Sequence, residues 1–553
     1  MIPVTASDPS DLAKSAETAT TPHQALVPLW AAVVLAAVSG GSMTLAYPGV
    51  ALWILVFPAV ALLLIALIGR RVSGALLVGA VFGLLFSFVL YSWTGRYLGP
   101  LPWAALSVLE GALTAVATIP ITLAYRWIPG LVRRPVFRSL AVSATIAALW
   151  AGKELFLGSW PYGGLPWARI AYVFADTSAA RVSSWVGVTG LSFLVVFLVA
   201  LCVEPLRERR RPHWGSAIAP VVLTAVLAFA PSFPTASIGT LRIGAVQGNG
   251  PAGYFDAREP LAVLGAQTAA TVPLMEQRLD LLVWPEGGVD ADPFQNGTAA
   301  RTLSRLADRL GAPVLANAAT GRDEKFYNTS FLWPVNASQG IARDDVQTHA
   351  KRHPVPFGEY VPDRPFFNAI VPDLIGLIQR EYTPGDDPPI VKVGDRIVGL
   401  AICFDVIYDE VIREGIGAGA DVLVFQTNNA DFRGTVENLQ QLGIARMRAV
   451  ETGRSVVNVS TVGTSQIIRP DGSTLVSVDA DRPGAMLEDV ELRAGATAGV
   501  VIGPVLEQIL LWGGLIGTAA AGVLARVRRA RKGGQAPIFS RVGSSPAPRR
   551  ARM

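Results

Sequence analysis

The chain has 553 residues, of which 51% are hydrophobic and only 16% are charged. Soluble domains carry about 25% charged residues, so this composition excludes an ordinary soluble enzyme and a disordered chain. Two cysteines and four histidines exclude a disulfide-rich scaffold and a cysteine zinc site, and they leave little room for a histidine metal cluster.

Long apolar runs divide the chain into membrane and extramembrane parts. Residues 1–26 form a polar N-terminal extension, and residues 27–234 hold seven runs that could cross a bilayer, for which about 20 apolar residues suffice. Residues 235–496 have the composition of a soluble α/β domain. An eighth run lies in 497–526, and the basic residues 527–553 are predicted to be a disordered cytoplasmic tail. The seven runs are 27–46, 49–69, 74–93, 103–125, 139–152, 182–203 and 213–231.

The basic residues between the runs predict the orientation, because Lys and Arg accumulate in cytoplasmic loops. With both termini in the cytoplasm, residues 235–496 lie outside it. The net charge of +5 is then mostly a topology signal, and no nucleic-acid partner is expected. The inner loops hold Arg70, Arg71, Arg126, Arg133, Arg134, Arg138, Arg207, Arg209, Arg210 and Arg211, against Arg96, Lys153, Arg169 and Arg181 outside.

Two carboxylates and one loop in the membrane part stand out. Glu110 falls inside the fourth run, where a carboxylate is expected to serve a site or a helix contact. Glu154 follows the fifth run and could simply lie at the interface. The aromatic, glycine-rich loop 159–167 is either an interfacial aromatic belt or a platform beside an outer active site.

Strands alternate with helices in the α/β domain. A strand at 241–247 precedes a helical stretch at 258–278, and a buried strand, 279–286, ends at Trp284-Pro285-Glu286. Further along, a strand at 396–403 ends in Cys403. Because catalytic groups in such folds gather beyond the carboxyl ends of strands, Glu286 and Cys403 are candidates. The intervening and following elements are a helix at 298–310, a strand at 313–317, a helix at 407–418 and a strand at 421–426.

Cys403 is a candidate nucleophile, although a buried free cysteine is often just a small core residue. A thiol needs a base or a cation to reach the thiolate. His349 and His353 could supply the base. The alternative is a carboxylate base, Glu286, with Lys351 stabilising an oxyanion.

The order Trp284-Pro-Glu286, then Lys351 in Lys-Arg-His-Pro-Val-Pro-Phe-Gly-Glu, then Cys403 resembles the Glu–Lys–Cys triad of the nitrilase superfamily. The Lys351–Tyr360 stretch, the seven-plus-one membrane pattern and the Gly-Gly-Leu-Pro-Trp loop resemble the apolipoprotein N-acyltransferase family in particular. The resemblance implies eight transmembrane helices and an extracytoplasmic α-β-β-α sandwich in a bacterial inner membrane.

The resemblance also implies roles for single residues. Glu286 would be the general base, Lys351 the oxyanion-stabilising cation and Cys403 the nucleophile. Glu359 and Asn328 match further residues of the family near the site. Together with Trp284, Phe404 and Asp405, which lie beside the triad, they are expected either to bind substrate or to support the triad. Phe404-Asp405 and Asp431-Phe432-Arg433 depart from the family's usual Tyr-Glu and Trp-Phe-Gly.

The implied reaction moves an acyl chain from a phospholipid, through a thioester on Cys403, to the N-terminal amine of diacylglyceryl-cysteine lipoproteins. No metal or organic cofactor is expected. Segment 357–385 could cover the site and keep water from the thioester. Two alternatives remain: a membrane-tethered amidase or nitrilase with the same triad, and a transporter or receptor whose outer domain only binds.

Overall fold

The structure is a computed structural model, and it describes residues 25–208, 214–337 and 341–533. Most of the predicted N-terminal extension and the tail from residue 534 lie outside these ranges. Two bodies are joined in the described part: a bundle of apolar helices and a two-sheet α/β domain.

The helix bundle follows the predicted runs closely. The helices before the α/β domain are α1 (Leu29–Ala46), α2 (Val56–Leu67), α3 (Val72–Leu90), α4 (Gly95–Leu98), α5 (Pro100–Trp127), α6 (Pro135–Leu157), α7 (Ser183–Glu208, interrupted at Gly187) and α8 (Trp214–Phe229). After that domain comes α15 (Ala498–Gly533).

Among the described residues, six helical stretches are long and apolar enough to cross a membrane, and they contain α1, α3, α5, α6, α7 and α15. They turn large apolar side chains outward: Trp30 is 73% exposed and Val501 is 65% exposed. Exposed apolar faces of this size mark contact with lipid. The helices of the second and seventh runs, α2 and α8, are shorter, so the count of eight crossings remains a prediction.

Helices α3 and α5 approach each other closely because small residues meet between them. A Cβ on Gly83 would lie 2.8 Å from the carbonyl oxygen of Gly111, and a Cβ on Gly79 would lie 2.6 Å from Thr118 Oγ1. Packing of small residues at such contacts is a main source of helix association in membranes.

The fifth run is longer than predicted, and this changes the position of Glu154. Helix α6 starts at Pro135, where proline suits a first helical position, and it carries Glu154 within its last turn. Glu154 Oε1 accepts hydrogen bonds from Trp150 Nε1 at 2.9 Å and Ile170 N at 3.0 Å. Glu154 therefore holds the segment after α6 to the bundle, while Glu110 lies buried on α5 beside Lys153.

Helix α15 continues beyond the predicted boundary at residue 526, as far as Gly533. Residues 526–532 are Arg-Val-Arg-Arg-Ala-Arg-Lys, and Ala, Arg and Lys are strong helix formers. The first residues of the predicted tail are thus helical.

The described residues of the α/β domain form two six-stranded sheets. Their strands run in the order β12-β1-β2-β3-β4-β5 and β11-β10-β9-β8-β7-β6. Strands β1, β2 and β3 are parallel, as are β7, β8 and β9, and antiparallel partners flank each parallel set. The strands are β1 (Ala236–Gln247), β2 (Leu281–Val283), β3 (Val314–Arg322), β4 (Lys325–Trp333), β5 (Gln347–Ala350), β6 (Ile390–Val393), β7 (Arg396–Ile402), β8 (Val422–Thr427), β9 (Val456–Ser460), β10 (Ser465–Ile468), β11 (Thr474–Val478) and β12 (Gly484–Ala494).

The sheets pack face to face, and helices cover their outer faces. Ile243 and Leu281 of the first sheet share one apolar core with Val424 and Val457 of the second. This confirms the predicted α-β-β-α sandwich. The helices of this domain are α9 (Ala262–Thr271), α10 (Gly297–Leu310), α11 (Arg364–Ile370), α12 (Pro372–Ile375), α13 (Asp409–Gly417) and α14 (Glu437–Thr452).

Helix α10 shows how the sequence determines where a helix begins, where it ends and which face it buries. Asn296 caps its start by accepting hydrogen bonds from Thr298 N and Ala299 N, and Gly311 ends it in a left-handed conformation. Leu303, Leu306 and Leu310 form the face that packs on the first sheet. The helix predicted at 258–278 is shorter, because Leu261 has a left-handed φ of 65° and α9 starts only after it.

The second sheet joins the α/β domain to the membrane bundle. Phe425 of β8 and Met447 of α14 share one apolar core with bundle residues such as Trp150 and Val195. Helix α14 is therefore enclosed by the sheet on one side and membrane helices on the other. This places the ends of β7 and β8 next to the bundle.

Candidate active site

Glu286, Lys351 and Cys403 come from the ends of three strands. Glu286 follows β2, Lys351 follows β5 and Cys403 follows β7, so the first two belong to one sheet and the third to the other. The site therefore lies where the two sheets of the sandwich meet. The side chain of Lys351 is 1% exposed, and Glu286 is also buried.

The backbone of Cys403 adopts an unusual conformation for a residue with a side chain. Its φ is 50°, in the left-handed region, and it opens a 3₁₀ turn over Cys403–Ile407. Such a conformation costs of order 1 kcal/mol or more and persists where the surroundings impose it, often at functional sites. The chain changes direction at Cys403, directly after β7, and Cys403 is half-buried.

The carboxylates of Glu286 and Glu359 share the Lys351 ammonium. Lys351 Nζ lies 3.3 Å from Glu286 Oε1 and 2.8 Å from Glu359 Oε2. Asn328 Nδ2 donates to both carboxylates, at 2.7 Å to Glu286 Oε1 and 3.1 Å to Glu359 Oε1. The four predicted residues thus form one buried network with Cys403 beside it.

Charge and burial set the proton affinities of this network. Burial raises the pKa of Glu286, while Lys351 and the hydrogen-bonding interactions with Asn328 and Cys403 oppose that rise. Burial alone would lower the pKa of Lys351, but Glu286 and Glu359 outweigh it, so the ammonium stays charged. Burial and the Glu286 charge raise the pKa of the Cys403 thiol well above its usual value. The resting site therefore holds a neutral thiol and a charged ammonium beside a carboxyl group whose pKa is raised.

The backbone around Glu286 is fixed by residues that sequence reasoning missed. Asn317 Oδ1 accepts from Gly287 N at 2.8 Å, and Asn317 Nδ2 donates to Asn328 Oδ1 at 2.9 Å. Thr461 Oγ1 donates to the Glu286 carbonyl at 2.8 Å. In the sequence, polar residues inside β3 and after β9 could have pointed to Asn317 and Thr461, because buried polar groups require hydrogen-bond partners.

Asp405 fixes the segment that carries Lys351. Its fully buried carboxylate accepts hydrogen bonds from Arg352 N at 3.1 Å and His353 N at 2.8 Å. Asp405, which lies in the turn that begins at Cys403, therefore positions the segment that carries Lys351. Phe404 packs against Tyr408, with ring centroids 5.6 Å apart.

Trp284 supports the site by packing. Its ring is 0% exposed in the core between the first sheet and its helices, and its Nε1 donates to Thr271 Oγ1 at 3.1 Å. Its carbonyl accepts a hydrogen bond from Gln426 Nε2 at 2.6 Å. Of its two predicted roles, the geometry fits support of the site, since a ring buried in this core has no path to a substrate.

The two histidines of this domain have partners outside the triad. His349 Nδ1 lies 3.0 Å from Asp387 Oδ2. His353 Nε2 lies 3.1 Å from Glu410 Oε1, and its ring stacks on Tyr408 at 3.8 Å. Of the two bases that the sequence left open, the geometry favours Glu286.

Helix α14 contributes polar groups behind the thiol that the sequence analysis did not single out. Gln441 Nε2 lies 3.7 Å from Cys403 Sγ, and Glu437 lies one turn earlier on the same helix. Both side chains are buried. Their spacing of four residues on a helix, i and i+4, was the one sequence signal that they share a face.

The 159–167 loop and segment 357–385 meet at the edge of the site. The hydroxyl of Tyr162, in the 159–167 loop, donates a hydrogen bond to Asp363 Oδ2 at 2.9 Å. The ring of Tyr162 packs against Phe357, with ring centroids 6.3 Å apart. The Tyr408 hydroxyl donates to Gly164 O at 3.1 Å. The 159–167 loop therefore borders segment 357–385, in which Phe366 is 61% exposed.

Comparison with known proteins identifies the family. Residues 39–201 match the apolipoprotein N-acyltransferase N-terminal domain, and residues 242–497 match the carbon-nitrogen hydrolase family. The apolipoprotein N-acyltransferase of Azotobacter vinelandii is 30% identical over 472 residues, which cover 80% of this chain and 86% of that protein. The chain belongs to the apolipoprotein N-acyltransferase family.

Two further relatives carry the same name. The apolipoprotein N-acyltransferase of Mycolicibacterium smegmatis is 27% identical over 515 residues, covering 87% of this chain and 83% of the relative. That of Pseudomonas putida is 28% identical over 460 residues, covering 80% and 88%. Membership in the apolipoprotein N-acyltransferase family confirms the predicted resemblance and makes the chain a membrane acyltransferase of the carbon-nitrogen hydrolase superfamily.

Proposed function

We propose that this chain transfers an acyl chain from a phospholipid to the N-terminal amine of diacylglyceryl-cysteine lipoproteins, with Cys403 as the covalent carrier. The observation that supports this proposal most strongly is the buried Glu286–Lys351 pair beside Cys403 in a chain of this family. A base, a cation and a nucleophile are the groups that acyl transfer needs.

The first half-reaction forms the thioester. Glu286 takes the thiol proton as Cys403 Sγ attacks the ester carbonyl of the phospholipid. The negative charge on the carbonyl oxygen is stabilised by Lys351, and one such donor contributes about 3–4 kcal/mol. When the tetrahedral intermediate collapses, the ester C–O bond breaks, Glu286 returns its proton to the leaving alkoxide, and a lysophospholipid departs.

The second half-reaction uses the same groups. The amine of the lipoprotein attacks the thioester carbonyl and gives a proton to Glu286. The C–S bond then breaks, and Cys403 leaves with the electron pair and takes up the proton. Two-step transfer of this kind has ping-pong kinetics.

The fold suits lipid substrates. The turn that bears Cys403 lies over the membrane bundle, so a lipid need not be extracted into water, at a cost of about 0.8 kcal/mol per exposed CH₂. In the inner membrane, with the α/β domain outside the cytoplasm, donor and acceptor would occupy the same leaflet. Segment 357–385 and the 159–167 loop contact each other, and we expect them to exclude water from the thioester.

A membrane-tethered amidase or nitrilase is the main competing activity, since it would use the same triad. The transporter or receptor interpretation is disfavoured, because residues 242–497 match an enzyme family. The amidase and acyltransferase activities differ in the acceptor: water for the first, an amine for the second.

The test supplies purified protein with a phospholipid labelled in its acyl chains and a diacylglyceryl-cysteine peptide. We expect label in an amide at the peptide N-terminus, and no transfer to a matched peptide whose amine is acetylated. Release of free fatty acid at the same rate with either peptide would show a hydrolase and contradict the proposal.

A further inference from the structure

Helix α14 presents a glutamine to the nucleophile. Gln441 is 3% exposed, and its Nε2 lies 3.7 Å from Cys403 Sγ, within hydrogen-bond range for a sulfur acceptor. The mechanism described above does not use this side chain. The sulfur therefore has a neighbour whose role is open.

A chain of hydrogen bonds fixes which end of the Gln441 amide faces the sulfur. Gln441 Oε1 accepts from Asn429 Nδ2 at 2.9 Å, and the same Nδ2 donates to Glu437 Oε2 at 2.8 Å. Asn429 Oδ1 in turn accepts from Ser460 Oγ at 2.6 Å. Because an amide nitrogen only donates, the Gln441 oxygen is committed to Asn429 and its N–H group points at Cys403.

We propose that Gln441 donates a hydrogen bond to Cys403 Sγ and stabilises negative charge on the sulfur in both half-reactions. This role goes beyond the triad, in which Lys351 serves the oxyanion and Glu286 serves the proton. It concerns the reactivity of the thiol, whichever acyl donor and acceptor the enzyme uses.

The charges around the sulfur explain why a hydrogen bond from Gln441 matters for thiolate formation. Burial opposes thiolate formation, as do Glu286, Glu437 and Glu359 when they are ionised, and Lys351 favours it. During attack the thiol proton passes to Glu286 and the sulfur electron pair forms the C–S bond. During transfer to the amine, the C–S bond breaks and the pair returns to sulfur. In both steps, charge builds up where the Gln441 N–H points, and hydrogen bonds to charged groups are the stronger ones.

The experiment measures the reactivity of Cys403 alone. In a Cys202→Ala background, Cys403 is the remaining cysteine, since the chain has two. The rate of alkylation by iodoacetamide is followed against pH in the full-length protein, without phospholipid or acceptor. We expect Gln441→Leu to move the midpoint of this profile up by about one pH unit and to slow alkylation about tenfold below the midpoint.

The matched control is Gln440→Leu. Gln440 is also a buried glutamine of α14, but its Oε1 accepts from Trp167 Nε1 at 2.7 Å. It should leave the alkylation profile unchanged. An equal shift in both variants would show a general effect of helix packing and would overturn the proposal.

A second variant covers the case in which Gln441→Leu does not fold. Gln441→Glu keeps the shape of the side chain but places a carboxylate oxygen near the sulfur. We expect an upward shift larger than that of the leucine variant. A parental profile in either folded variant would overturn the role of Gln441. The proposed acyl transfer would not be affected by that result, because alkylation needs neither of its substrates.

Discussion

At the scale of single residues, one buried cation holds two carboxylates together. Lys351 lies within 3.3 Å of Glu286 and 2.8 Å of Glu359. Its charge favours the ionised form of Glu286 against the effect of burial on the pKa of that carboxyl, and it is also the cation available to an oxyanion. Glu437 differs from these two carboxylates, because it is buried near the thiol and its hydrogen-bond donor, Asn429, is neutral.

Lys351→Met should slow formation of the acyl-enzyme by at least about a hundredfold. The variant removes the cation that stabilises the oxyanion, and loss of one such donor costs roughly 10²–10³ in rate. Single-turnover kinetics with labelled phospholipid measures this step. Lys392→Met, at an exposed position of β6, is the control and should react at the parental rate. A normal rate for Lys351→Met would remove this residue from the chemistry.

Glu437 should make stability depend on pH. Burial raises its pKa from 4.5 to about 8. The folded chain then holds a proton that the unfolded chain releases, so the stabilisation is complete below about pH 4.5 and is lost as pH rises through about 8. The loss is about 1.4 kcal/mol per pH unit in this interval.

Glu437→Gln tests this linkage, because it keeps an oxygen for the hydrogen bond from Asn429 and cannot ionise. Thermal unfolding between pH 5 and pH 9 should show a steeper decline for the parent than for this variant. Glu276→Gln, at an exposed position, should follow the parent. Parallel curves for parent and Glu437→Gln would contradict the raised pKa.

At the scale of elements, ion pairs connect α13, α14 and α15 with the segment between α6 and α7. Asp409 lies 2.6 Å from Arg169 and 2.6 Å from Arg448, and Arg413 pairs with Glu507 of α15. Arg448 also donates to the carbonyls of Val406 at 3.0 Å and Ile407 at 2.8 Å. The turn that begins with Cys403 is thus tied to the membrane bundle by buried charges.

Asp409→Asn should destabilise the protein by about 3–5 kcal/mol, because it leaves buried arginines without their counter-charge. Thermal unfolding in detergent measures the effect. The neighbouring Glu410→Gln changes a side chain that is 62% exposed and should cost less than about 1 kcal/mol. Equal melting temperatures for the two variants would show that the buried pairs contribute little.

The sequence predicted elements whose pattern is local and failed where tertiary contacts decide. Helix α10 and the strands ending near Glu286 and Cys403 carry their own periodicity and caps. Helix α14 was not predicted, because it is buried on both sides and so mixes Gln441 and Arg448 with apolar residues. The antiparallel flanking strands, such as β11 and β12, were also missed, since their alternation is weak at the sheet edges.

The same limit applies to the site. Glu286 and Cys403 were proposed because they end predicted strands, and Lys351 was proposed from its place in the Lys-Arg-His-Pro-Val-Pro-Phe-Gly-Glu stretch. Gln441 and Asn317 were not, because what places them is a hydrogen-bond partner far along the chain, and sequence spacing carries no information about it.

At the scale of the whole molecule, the account requires the α/β domain to lie outside the cytoplasm. The experiment uses a variant of this protein in which both native cysteines are replaced. In that background Arg305→Cys, exposed on α10, should react with a membrane-impermeant maleimide in intact spheroplasts. Arg133→Cys, in a predicted inner loop, should react only after permeabilisation. The reverse pattern would contradict the orientation that the loop charges predict.

The central claim is that Cys403 carries the acyl chain, and intact-protein mass spectrometry tests it most directly. Full-length protein incubated with phospholipid and no acceptor should gain the mass of one acyl group on Cys403, and hydroxylamine should remove it. Cys403→Ala should gain nothing, while Cys202→Ala should behave as the parent. An adduct that persists in Cys403→Ala would show that another residue is the nucleophile.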